Sequence, residues 1–171
     1  MAELKGGAKA QAAINELAKK LVGGPHALRV GFLENARYAD GTPVAQVAAI
    51  QNFGAPARGV PPRPFFTNMI TAKSPAWGGN LAAILKATNN DGTRAINLLG
   101  LHIAGQLQTA IRDTQAPPNS PVTNLLKQRF PTGDGLEFSD VLQAWKDVAA
   151  GETGAAPGKP LVWSGKMLES V

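Results

Sequence analysis

Ala27-Leu28-Arg29-Val30-Gly31-Phe32-Leu33 decides how the chain is classed. Leu28, Val30 and Phe32 recur at every second position, the spacing of a half-buried β-strand. Leu161-Val162-Trp163 reads as a second short extended segment, and Met167–Val171 as the start of another. These segments stand among longer stretches of helical spacing. The expected class is therefore α+β, with a small antiparallel sheet packed against several helices.

Outward from that stretch the pattern turns helical on both sides. Residues 8–22 place Ala10, Ala13, Ile14, Leu17, Ala18 and Leu21 on one face, and Gly23-Gly24-Pro25 ends that run. Val44 to Phe53 repeats the spacing through Val47, Ala48 and Ile50, with Gly54 as its stop. Phe65 opens a helix to about Lys73, and Ser74-Pro75 opens another that runs to Lys86. Thr93 is the expected N-cap of the longest periodic segment, whose stripe is Ile96, Leu99, Ile103, Leu107 and Ile111. Short helices follow at Val122–Arg129 and Leu136–Val148, the latter docking through Phe138, Leu142 and Trp145.

Between these elements lie two proline-rich arms, residues 55–64 and 116–121. Four prolines in the ten residues of the first exclude a helix interior and a central strand, so it is predicted to be an extended arm or loop, and the second a rigid proline segment. At 171 residues the chain has room for one core, and a single domain over 1–171 is expected. Charged residues are only 17%, against 44% apolar, which marks a folding chain.

Cysteine is absent, which removes disulfides, thiolate metal sites and cysteine nucleophiles. The two histidines, His26 and His102, lie seventy-six positions apart, too far to form a paired-histidine zinc motif on one helix. Neither Gly158-Lys159 nor Gly165-Lys166 has the preceding glycine of a phosphate loop, and no nucleophile elbow is present. Asp134, Glu137 and Asp140 cluster in sequence, but as a loop and helix start. No enzyme activity, cofactor or metal is expected. The N-terminus lacks the apolar core of a signal peptide, and no apolar run approaches a membrane span, so a soluble, unexported chain is expected.

Charge is divided along the chain. Residues 1–130 carry 14 basic and 6 acidic side chains, whereas 131–171 carry 3 basic and 6 acidic. Such a division suits a contact between an acidic segment and a basic neighbour, or a basic face for a polyanion. The second possibility is a basic DNA-binding module, with Arg58, Arg63, Lys127 and Arg129 beside the proline arms as candidates.

Three segments resemble a known family. Val44 to Ala55, ending in Asn52-Phe53-Gly54-Ala55 and followed by Pro61-Pro62-Arg63-Pro64-Phe65-Phe66, is similar to the helix, Phe-Gly and Arg-Pro-Phe signature of tailed-bacteriophage neck and tail-completion proteins, the virion morphogenesis or tail-component type. Pro117-Pro118-Asn119-Ser120-Pro121-Val122-Thr123 resembles a second segment of that family, and Lys159 to Val171, with Trp163-Ser164-Gly165 inside it, resembles a third. Trp163 stands where the family usually has Asp, and 131–158 reads as a helical insertion.

The resemblance covers roughly residues 25–171 and implies a virion structural protein assembled in the host cytoplasm. It implies a homo-oligomeric ring, hexameric by analogy, at the head-tail junction or the head-proximal tail end. The ring's partners would be head-tail connector proteins on one face and the tail terminator or tail tube protein on the other. DNA would pass through its lumen without sequence recognition, and no membrane would be involved. The implied subunit-interface residues are Phe53, Gly54, Pro61, Pro62, Arg63, Pro64, Phe65, Phe66, Pro117, Pro118, Asn119, Pro121, Trp163, Ser164 and Gly165.

Overall fold

In a computed structural model the described residues are 27–154 and 159–171, with Ala12, Asn15, Glu16 and Lys19 before them. They form six α-helices: α1 Val44–Phe53, α2 Phe65–Ala87, α3 Gly92–Asp113, α4 Pro121–Arg129, α5 Phe138–Ala149 and α6 Lys166–Glu169. A 3-10 turn covers Pro56–Arg58. Among the described residues there is no β-strand, so the expected α+β class with an antiparallel sheet is corrected to all-α.

Pairing is what the expected strand lacks. Within 31–33, Leu33 N–H donates to the Ser170 carbonyl at 2.7 Å, yet no ladder follows from that bond. The bridges Arg37 with Pro43 and Ala55 with Val60 are isolated. Strand alternation without a partner strand leaves an extended segment whose apolar residues rest on helices. Phe32 meets Phe65 edge-on, ring centres 6.4 Å apart, and Leu28 lies against Gly100. Residues 161–163 form part of a turn, and 167–169 belong to α6.

Two compact units divide the described residues: Ala12, Asn15, Glu16, Lys19 and 27–30 with Thr71–Gly105, and Gly31–Ile70 with Gln106–Val171. The first unit holds most of α2 and α3, with Ala95, Leu99 and Ile103 buried. Ser74-Pro75 does not divide α2 as expected. Pro75 lies on an exposed turn, where its missing N–H breaks no buried bond, and the helix continues. The cap of α3 is Asp91 instead of Thr93: its Oδ1 accepts from Arg94 N–H at 2.9 Å.

In the second unit α1 packs on α6, and α4 on α5. Val122, Leu125, Leu126 and Ala144 form a core, flanked by Phe130, Leu136, Val141, Val148 and Trp163. The expected docking of α5 through Phe138, Leu142 and Trp145 is therefore overturned, because the helix turns its smaller residues inward. Ala144 is fully buried, which lets the two helices approach closely, while the three larger side chains are exposed. Glu137 and Asp140 form a capping box at the start of α5. Of the expected helix over 8–22, the four described residues are helical and the rest lie outside the described residues, as do 1–7 and 20–26.

Candidate functional site

The three motif segments meet inside the second unit, and two long cations join them. Arg63 stands between Pro62 and Pro64, which limit its backbone, and its own N–H donates to the Gln51 carbonyl at 2.7 Å. Its side chain is nearly buried, and its guanidinium divides three ways. Nε donates to the Pro117 carbonyl at 2.8 Å, Nη2 to the Pro118 carbonyl at 3.1 Å, and Nη1 to Gln51 Oε1 at 2.7 Å. The planar fork suits this task, since two carbonyls of adjacent residues present acceptors that a single ammonium could not span as well. Burial holds the guanidinium pKa below its ordinary value.

Lys127 does the corresponding work for the third segment. Its Nζ donates to the carbonyls of Lys159 at 2.9 Å, Val162 at 2.8 Å and Pro160 at 3.4 Å. It also lies 5.9 Å from the centre of the Trp163 ring. Burial, with the Arg63 charge nearby, holds its pKa below the usual lysine range. Trp163 Nε1–H donates to the Phe130 carbonyl at 2.6 Å, a bond that an Asp at this position could not make.

Asn52, which the sequence reading left outside the candidate set, links α1 to the start of α2. Its Oδ1 accepts from the N–H groups of Phe66 at 3.1 Å and Thr67 at 3.2 Å, and its Nδ2 donates to Thr67 Oγ1 at 2.8 Å. A side chain from one helix thereby serves two of the free donors at the N-terminus of the next. Gly54 has φ +77°, and a Cβ there would stand 2.9 Å from Pro62 N, so only glycine fits between the helix end and the arm. The signal for Asn52 and Gln51 was present as two adjacent polar residues closing an apolar helix. Lys127 gave no comparable signal, because its acceptors lie more than thirty residues away.

The expected interface residues fall into two sets. Arg63 and Phe65 are buried, and Gly54, Phe66, Pro117, Asn119, Trp163 and Gly165 are partly covered. Phe53, Pro61, Pro62, Pro64, Pro118, Pro121 and Ser164 are exposed. A groove of about 1200 Å³ opens beside the junction, its walls including Tyr38, Gln51, Val60, Asn119, Leu161 and Trp163. Asn119 Nδ2 is a buried donor with no hydrogen-bond partner.

Of the four basic residues considered for DNA, Arg63 and Lys127 hold carbonyls, and Arg129 reaches Asp147 at 2.7 Å and Glu152 at 3.2 Å. Arg58 is exposed. Among the described residues no cluster of three potential metal ligands occurs, and no helix is long and apolar enough to cross a membrane. The chain matches no protein-family model, no curated protein and no solved structure.

Proposed function

We propose that this chain is a structural protein of a tailed-phage virion. It forms a ring at the head-tail junction or the head-proximal tail end and adapts connector to tail tube around the DNA channel. It acts by shape and contact, without covalent chemistry. The observation that carries the reading is that the resembling segments are fastened together: Arg63 of the first holds Pro117 and Pro118 of the second, and Lys127, on the helix that the second segment opens, holds the third. Three segments in the family's order between Val44 and Val171 are expected where distant segments must fit one another, and these do. Engagement of Arg63, Lys127 and Arg129 with protein groups leaves less of the basic balance for nucleic acid, which favours this reading over a DNA-binding module.

The test is localisation on particles. An antibody raised against the chain is expected to label the head-tail junction of virions released from a host that carries its gene. Unlabelled virions, with the chain retained on DNA through a salt-sensitive interaction, would overturn it in favour of the DNA-binding module.

A further inference from the structure

Two exposed helical stripes, one acidic and one basic, have no cover in the described residues. On α5, Phe138, Leu142 and Trp145 stand at i, i+4 and i+7 and are 75%, 48% and 62% exposed. At ordinary side-chain areas they amount to roughly 400 Å² of adjacent apolar surface, as large as the principal patch of many monomers and about half of one side of a stable interface. Residues 134–152 around them contain five acidic side chains and one basic; Asp147 and Glu152 pair with Arg129, which leaves Asp134, Glu137 and Asp140 against Lys146. On α3, Arg94, Leu98 and Leu101 repeat the same spacing, with Leu98 41% and Leu101 72% exposed. Gly105 continues that stripe, and the space where its Cβ would stand is open. The described residues of that unit carry Lys19, Arg29, Lys73, Lys86 and Arg94 against Glu16 and Asp91, and Glu16 is paired with Lys19.

We infer that the α5 stripe of one copy docks on the α3 stripe of a second copy, its aromatic rings set over Leu98, Leu101 and the opening at Gly105. Opposite charge selects this pairing. Two α5 stripes would bring acidic rims together, and two α3 stripes would bring basic ones together, so each face rejects itself and accepts the other. A contact between two different faces leaves one of each free at the ends of a dimer, so it propagates and closes as a ring when the rotation permits. The inference deepens the ring reading above and rests on it for the expectation of closure, but the contact itself is argued from the two faces.

The experiment uses the full chain and two variants, Trp145→Lys and Leu101→Glu, each at an exposed site, with circular dichroism to verify the fold. Sedimentation velocity is expected to show concentration-dependent assembly of the wild type. Each variant alone should need about 30-fold more protein for half-assembly. An equimolar mixture should form heterodimers that grow no further, because Trp145→Lys keeps its α3 stripe and Leu101→Glu keeps its α5 stripe. Wild-type assembly in both variants, a mixture that stays monomeric, or a wild type that never associates would each overturn the contact. Neck labelling with an overturned contact would leave the ring reading standing on another interface, whereas heterodimers without neck labelling would keep the contact and remove the reading.

Discussion

The junction around Arg63 and the outer face of α5 lie in the same unit and use large side chains in opposite ways. At the junction, a buried arginine and its neighbours satisfy one another, and Phe65 sits edge-on to Phe32 at 6.4 Å. On α5, Phe138 and Trp145 touch solvent while Ala144 fills the core. Residue size and hydropathy alone therefore do not say which positions hold the fold. What distinguishes the two regions is whether removing a side chain strands polar groups or opens a cavity, and mutation can separate them.

The largest effect is expected at Phe65. Phe65→Ala removes a ring that is only 4% exposed and should cost about 3–5 kcal/mol in urea unfolding, whereas partly covered Phe66→Ala should cost clearly less. Equal losses would erase the distinction drawn here. Arg63→Met should follow at about 2–4 kcal/mol, because the carbonyls of Pro117 and Pro118 and the amide of Gln51 all lose a charged donor. Arg63→Lys should recover only part of that loss, since an ammonium lacks the fork. If lysine restores full stability, charge and not geometry holds the arms.

Gly54→Ala should cost about 1–3 kcal/mol through positive φ and the close approach of Pro62, measured by the same unfolding curves. The smallest effect concerns acid. Hydrogen bonds from Arg129 and Gln143 hold the Asp147 carboxyl below its ordinary pKa. In that case the unfolded state binds the proton first, so the contribution is present above the ordinary carboxylate pKa and is lost as pH falls through the lower, folded value. The Asp147→Asn variant should show a shallower loss of stability in that acid window than the wild type, and parallel curves would remove the pair from the account.

The helices at 44–53, 92–113 and 121–129 were legible because apolar spacing is a short-range property, although the second is capped by Asp91 and not by Thr93. The strand over 27–33 was not, because Leu28, Val30 and Phe32 alternate equally well in any extended segment, and only a paired neighbour makes it a strand. The apolar arc of α5 is wide enough to include both Phe138-Leu142-Trp145 and Val141-Ala144-Val148, and the sequence could not tell which half meets α4. Arg63 stands among the implied interface residues, yet the carbonyls it holds lie 54 and 55 positions away, beyond the reach of any spacing rule. Lys127 escapes the sequence for the same reason, whereas Asn52 shows itself only as one of two adjacent polar residues closing an apolar helix.

The loop between α1 and α2 is fastened at both ends. Ala55 and Val60 exchange main-chain bonds of 2.9 and 3.2 Å, and Asn52 and Gln51 hold Phe66, Thr67 and Arg63 beyond it. Its tip, Pro56–Gly59, is therefore insulated from the register of the helices it connects. Extra residues placed there would lengthen the excursion at small entropic cost while Phe65 kept its place, which makes the tip a natural point for variation in length and for carrying an inserted tag.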